Sequence, residues 1–354
     1  MTALHVVLPV GVDDPAHPSG GNLYDRRICD GLAATGWQLH EHQAAGCWPW
    51  PDSRAEAALA RLLAAVPDDA LVLVDGLIAS AVPSVLVPEA DRLRLVVLVH
   101  LPLGEGPPGH QVAEAEKREG AVLSAARAVL STSAWTRRRL LARYPLAPDR
   151  LHVAEPGVDP APPAAGTGDG GELLCVAAVT EHKGHDLLLT ALADLADRPW
   201  RCVCVGALDR EPDFVDRLRR QAADAGIGDR VCWRGALSGQ ELDQAYAGAD
   251  ALVLASRAET YGMVVTEALA RGLPVIATAV GGLPETLGWV AGERPGLLVP
   301  PADPAALAAA LRGWLTDRSL RQDLRRAAQE RRRSLTGWAR TTGQVARALV
   351  EAAA

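Results

Sequence analysis

The sequence predicts an α/β protein built from two doubly wound, Rossmann-like units. Three observations lead to this. Short runs rich in Val, Ile and Leu alternate with helical patterns of about 10 to 15 residues, the signature of a parallel sheet covered on both faces. The alternation breaks at a stretch with almost nothing to bury and then restarts. Finally, 354 residues is long enough for two domains of ordinary size.

The elements follow in order. "ALHVVLPV" reads as a strand because it is a continuous apolar run, and "GGNLYDRRICDGLAATG" as a helix that ends near Gly36. "WQLHEHQ" is a strand, "RAEAALARLLAAV" a helix with apolar residues at helical spacing, and "ALVLVDG" and "RLVVLVHLP" are further strands. "EAEKREGAVLSAA" is a helix, with "AVLSTSAWTRRRLLARY" and "LHVAEPGVD" after it. "PAPPAAGTGDGG", residues 160–171, is Pro-, Gly- and Ala-rich and is assigned as the interdomain linker. The pattern resumes with "ELLCVAAV" (strand), "HDLLLTALADLA" (helix), "WRCVCVGA" (strand), "DFVDRLRRQAADAG" (helix), "VCWRGAL" (strand) and "GQELDQAYAGA" (helix), and runs on to "GLLVPPADPAALAAALRGWLTD". The expected domains are residues 1–160 and 171–335. A terminal helix at about 336–354 presents Val345, Leu349 and Val350 as an apolar face, free to cap the second domain or to dock on the first.

Composition narrows the function classes. The chain is 49% apolar and 22% charged, with a net charge of −7. That leaves no basic footprint for nucleic acid or an anionic membrane. No apolar run approaches the roughly 20 residues needed to span a bilayer, and "MTALHVVLPVGV" lacks a charged leader region, so a cytoplasmic protein is expected. The six cysteines form no CxxC pair and read as reduced thiols rather than metal ligands. Lysine occurs only at Lys117 and Lys183, against a large excess of arginine, which draws attention to both.

Ligands of open α/β sheets sit at the carboxyl ends of the strands, and three strand-end features carry chemistry there. Gly20 and Gly21 precede a helix; they are either a structural turn or a place where the backbone approaches a phosphate. Lys183 stands where a strand gives way to a helix, either solvated or set to neutralise a diphosphate. In "SRAETYGMVVTEALARGLPVIAT", Glu259 lies in the loop after strand "ALVLAS", and Gly262 turns the chain to expose the amides of Gly262, Met263 and Val264. Glu267 falls in the following helix. A fixed carboxylate accepts hydrogen bonds from vicinal hydroxyls. The pair suits a ligand with an anionic middle and a diol at either end, a description that fits a nucleotide sugar.

The block "ETYGMVVTEALARGLPVIATAVGGLPE" resembles the E-x7-E signature of the family-4 retaining glycosyltransferases, which have the GT-B fold. "VTEHKGHDLLLTAL", "EPGVD" and "VCWRGALSGQELDQAYAGADALVLAS" are similar to further segments of that family. The resemblance is dense from about residue 151 to 301 and thin before it, where "SGGNLYDRR", "VLVHLP" and "STSAWTRRRL" match loosely. It implies two Rossmann-like domains facing a central cleft, with the last helix crossing back to the first, acceptor-binding domain. By the same resemblance Glu267 would hold the donor ribose, and Glu259 with Tyr261 and the amides of Gly262, Met263 and Val264 would bind the donor sugar and diphosphate. Lys183 would pair with that diphosphate, His100 would touch the donor sugar, and Gly20 and Gly21 would approach the phosphate or acceptor. Family members usually carry an arginine five residues before the lysine; here Ala178 stands there, so Arg257 or another group substitutes, donor binding is weaker than in the family, or the chain has drifted in function.

The activity these features imply is transfer of a sugar from a UDP- or GDP-type donor to a small or soluble acceptor. It would proceed with retention by front-face substitution, the departing phosphate taking the acceptor proton. No D-x-D motif is present, so no metal and no cofactor beyond the donor are expected. A sugar-nucleotide 2-epimerase, or a relative that binds nucleotide sugars without transfer, shares this architecture. A dinucleotide-dependent oxidoreductase is disfavoured because the strand-end glycines of "SGGNLYDRR" do not form GxGxxG. Trp48 and Trp50, in the first domain's distinctive "HEHQAAGCWPWPDSR", either pack in the core or stack on an acceptor sugar. Sugar, acceptor and oligomeric state are not legible.

Overall fold

The computed structural model describes residues 2–105 and 110–354; the distinctive segment "HLPLGEGPPGHQ" falls partly outside them. The chain divides into two compact units. The first comprises Met1–Asp13, Gly21–Gly157 and Trp338–Ala354, and the second Asp14–Gly20 and Val158–Gly337.

The first unit is a six-stranded sheet of β1 (Ala3–Pro9), β2 (Gln38–Ala44), β3 (Leu71–Asp75), β4 (Arg94–Val99), β5 (Ala128–Ser131) and β6 (Leu151–Val153), in the order β2-β1-β3-β4-β5-β6. Every pairing is parallel. Side chains alternate across a strand, and both faces are apolar. Val72 and Val74 belong to one buried cluster, whereas Leu71 and Leu73 belong to another on the opposite face. That second face is closed by the helices Gly20–Ala34 and Trp338–Ala353, the latter packing against β3, β4 and β5. The terminal helix buries Val345 and Leu349 as its pattern predicts, but Val350 is 55% exposed. Ala348 and Ala352 complete the buried stripe instead, because positions 345, 348, 349 and 352 share one helix face and position 350 lies about 100° round from 349.

The second unit repeats the plan with β7 (Glu172–Val176), β8 (Arg201–Val205), β9 (Val231–Gly235), β10 (Ala251–Leu254), β11 (Val275–Thr278) and β12 (Gly296–Val299), in the order β12-β11-β10-β7-β8-β9 and again all parallel. In each sheet the strand order reverses once, between β1 and β3 and between β7 and β10. These are the topological switch points at which open α/β sheets leave a crevice.

Residues 160–171, expected as the linker, are tied to the second unit. Ala164 donates to the Arg271 carbonyl and Gly166 to the Ala247 carbonyl. Asp250, fully buried, accepts from the amides of Thr167, Gly168 and Glu172 and from the hydroxyl of Thr167, and pairs with Arg325 at 2.6 Å. Burial opposes ionisation of Asp250, but these donors outweigh it and hold its carboxyl below the ordinary value of 3.8. A depressed folded-state pKa gives stability that is fully present above 3.8 and lost as the pH falls through the folded value. Asp250→Asn should therefore lower the melting temperature at pH 6, with a deficit that shrinks as both proteins are acidified below about 3.8. A deficit constant with pH would show that the charge of Asp250 contributes nothing.

Candidate functional site

In the second unit the two carboxylates of the E-x7-E motif are held in different ways. After β10 the chain passes through Ser256 and Glu259 and reaches Gly262, whose φ of +83° is a left-handed conformation that an L side chain adopts only with strain. A Cβ at Gly262 would also lie 2.4 Å from Leu283 Cδ2. This turn launches the helix Met263–Ala270, whose first amides have no intrahelical partner by construction. Gly281, at φ +53°, packs beneath the loop so closely that a Cβ would lie 1.7 Å from the Glu259 carbonyl oxygen. The glutamate loop is thus fixed from below by backbone contact.

Lys183 closes a 3₁₀ turn after β7, and Gly184 at φ +68° passes the chain into the helix His185–Ala193. β7 and β10 are neighbours, so Lys183 and Glu259 meet at the switch point of this sheet. Lys183 Nζ lies 2.6 Å from Glu259 Oε1, and Ser256 Oγ donates to the same oxygen at 3.0 Å. The lysine and glutamate side chains are only 22% and 12% exposed. Glu259 Oε2 accepts no hydrogen bond among the described residues.

Glu267 occupies the second turn of its helix, half-buried. Tyr246, wholly buried on the helix Gly239–Ala247, donates its hydroxyl to Glu267 Oε2 at 2.8 Å. Burial raises the Glu267 pKa, against the opposing pull of the Tyr246 hydroxyl and the Arg271 guanidinium. Arg271 lies over the Tyr246 ring at 4.4 Å, donates to the Glu267 carbonyl and pairs with Asp243. With Oε2 committed to Tyr246, Oε1 is the oxygen left for a ligand.

Ala178 lies between β7 and Lys183, and Arg257 does not replace the missing cation. Its guanidinium makes a bidentate pair with Asp186, at 2.8 and 2.6 Å. Tyr261 is half-buried in the glutamate loop, where its carbonyl accepts the Thr286 hydroxyl at 2.6 Å.

In the first unit His100 follows directly on β4. Its Nε2 lies 2.7 Å from Asp25 Oδ1 and 3.6 Å from Asp75 Oδ2. Asp75 ends β3 and also accepts the Leu77 amide at 2.7 Å, capping the short helix Gly76–Ala79. Gly20 and Gly21 open the helix that carries Asp25, and a Cβ at Gly21 would lie 3.4 Å from the His100 ring. Three ligand-type atoms of Asp25, Asp75 and His100 lie within 4.8 Å of one another, a grouping whose chemistry suits a metal ion or a buried ion pair. Asp25 and Asp75 are absent from the sequence-derived site. Asp75 had a readable signal, an acid closing the apolar run "LVLVD"; Asp25 is one polar residue among several in its helix.

Trp48 packs beside the core and donates its indole N–H to the Ala44 carbonyl, whereas Trp50 is 47% exposed. All six cysteines are free thiols. Among the described residues no helix is long and apolar enough to cross a membrane.

Residues 165–331 match the family model described as glycosyl transferases group 1. Among curated proteins, a D-inositol 3-phosphate glycosyltransferase of Frankia alni is 37% identical over 234 residues, covering 61% of this chain and 54% of that protein. One from Catenulispora acidiphila is 35% identical over 220 residues, covering 56% and 51%. The chain thus spans about half the length of the curated relatives it matches. Among solved structures, a sucrose-phosphate synthase from Thermosynechococcus elongatus superposes with a TM-score of 0.80 at 22% identity, covering 98% of each chain. Anabaena HepE, in complex with UDP-glucose, gives 0.78 at 18% identity, covering 99% of this chain and all of that one. These neighbours share the two-domain GT-B fold. The glycosyl transferases group 1 match falls on the unit that carries Lys183, Glu259 and Glu267, so the likeness to that family is concentrated on the stretch that holds the candidate site.

Proposed function

We propose that this protein is a retaining hexosyltransferase that moves a sugar from a UDP- or GDP-type nucleotide donor to the hydroxyl of a small or soluble acceptor. The observation that carries this is the arrangement at the β7/β10 switch point, where a cation, a lysine-bound carboxylate and a tyrosine-anchored carboxylate follow one another. Lys183 would neutralise the diphosphate, together with the amides that open the helix Met263–Ala270. Glu267 would accept the ribose hydroxyls and Glu259 those of the transferred sugar. His100, Gly20 and Gly21 are the groups we assign to reaction chemistry from the loops after β4 and β1. In the reaction, the bond from the anomeric carbon to the β-phosphate oxygen breaks and a bond to the acceptor oxygen forms on the same face. The released phosphate oxygen takes the acceptor proton. The names of the curated relatives make D-inositol 3-phosphate the first acceptor to try, and the HepE complex makes UDP-glucose the first donor.

The charge work assigned to Lys183 makes metal unnecessary, and the donor itself is the one small molecule required. We place the reaction in the cytoplasm, where free thiols stay reduced. Calorimetry with UDP, GDP, ADP and their sugars, followed by product analysis, tests the reading: one nucleotide sugar should bind and its α-anomeric configuration should persist in the product. Reversible isomerisation of the donor without acceptor would replace transfer by epimerisation. Turnover should survive EDTA, and a loss greater than about tenfold, restored by Mg²⁺, would overturn metal independence.

A further inference from the structure

The β1/β3 switch point of the first unit holds two buried acids and one imidazole. Asp25 and Asp75 are 2% and 3% exposed, and among the described residues neither has a cationic side chain beside it except His100. The His100 ring is 17% exposed. Asp25 faces it from the helix Gly20–Ala34 and Asp75 from the end of β3. Tyr24 meets it edge-on at 5.3 Å between ring centroids, and the Gly21 backbone covers a further side. Both carboxylates converge on Nε2, while Nδ1 makes no hydrogen bond among the described residues. Two buried carboxylates without a counter-charge are costly. A protonated imidazole supplies that charge and satisfies Asp25 directly.

Resting on the transferase reading above, we propose that Asp25 and Asp75 are positioning residues that hold His100 as an imidazolium. Nε2–H is turned to the carboxylates, so that Nδ1–H serves as a cationic hydrogen-bond donor to an oxygen of a ligand at the carboxyl ends of the first unit's strands. The distinction matters chemically. A neutral ring with its proton on Nε2 presents Nδ1 as an acceptor, which repels an anionic ligand oxygen; the imidazolium donates to it. The electrostatics agree with the geometry. Burial works to lower the His100 pKa, but the charge and hydrogen bond of Asp25, with a smaller contribution from Asp75, reverse this and raise it to about 9. Asp75 is itself raised to about 7, first by burial and then by the Asp25 charge, against the pull of His100. The ring is therefore charged below about 9 and loses its donor as the pH rises through that value.

The test is an imidazole NMR titration of the full chain, with His100→Asn to assign the signal. We expect His100 to titrate near 9 in the wild type and at least about one unit lower in Asp25→Asn, with a smaller shift in Asp75→Asn. The alkaline limb of kcat/KM for UDP-glucose hydrolysis should move down with it, an effect that a merely structural role would not produce. A wild-type His100 titrating below 7, or one unmoved by Asp25→Asn, overturns the proposal. So does a stoichiometric divalent metal found by elemental analysis together with a His100 signal that does not titrate, which would make the cluster a metal site. Should Asp25→Asn fail to fold, the wild-type titration and Asp75→Asn still decide. A His100 titration as expected, in a protein that turns over no nucleotide sugar, supports the ionisation assignment and counts against the transferase reading instead.

Discussion

Lys183→Ala is expected to lower kcat/KM for the donor by about 2 to 4 kcal/mol of transition-state stabilisation, roughly 30- to 1000-fold. Two effects combine. The diphosphate loses its point charge as the leaving group develops negative charge, and Glu259, now held only by Ser256, faces that group without its ion-pair partner. Ala178 supplies no cation, and the Arg257 guanidinium is held by Asp186. Lys183→Arg should recover only part of the loss, since a planar fork does not reproduce a compact ammonium 2.6 Å from Glu259. Steady-state kinetics of both variants provide the check. Wild-type rates from Lys183→Ala would return this lysine to an ordinary part-buried ion pair.

The two glutamates should separate by ligand. Glu267→Ala is expected to weaken the free nucleoside diphosphate and the intact donor by a similar factor, about 10- to 100-fold for about 1.5 to 3 kcal/mol, because both carry the ribose. Tyr246 already holds the carboxylate in place, so little ordering entropy is lost on binding. Glu259→Ala should leave the affinity for free nucleoside diphosphate unchanged or slightly higher, since it releases Lys183 from its pair. It should depress donor turnover, because only the donor presents the transferred sugar. Calorimetric titration of each variant with the free nucleotide and with the donor measures the contrast. Equal losses on free nucleotide would mean that the loop carboxylate contacts the nucleotide and not the sugar.

The two folded sheets and the E-x7-E loop were legible because their signals are local. Continuous apolar runs, helical spacing between them, and a glycine where the chain must turn at positive φ are properties of neighbouring residues. They suffice for β7, for the helix Met263–Ala270, and for the positions of Lys183, Glu259 and Glu267 along the chain. A resemblance concentrated between residues 151 and 301 added roles to those positions, and the match over residues 165–331 falls on the same stretch.

What the sequence could not state is which side chains meet across long separations. Asp25 and His100 are 75 residues apart, Lys183 and Glu259 76, and Tyr246 and Glu267 21. The strand order and the helix registers bring each pair together, and no periodicity encodes them. Arg257 shows the converse: by sequence it was available to replace the cation missing at Ala178, and the helix beginning at His185 claims it through Asp186. Val350 is read from the sequence as part of the apolar face, yet at i+5 from Val345 it falls outside the stripe that Ala348, Leu349 and Ala352 complete, and it is 55% exposed. By itself, then, the sequence determined the architecture and the carboxylates and lysine of the second unit, because those depend on local pattern. Tertiary structure alone decided their hydrogen-bond partners and the two acids around His100, because burial and charge pairing are set by what the fold places opposite each group.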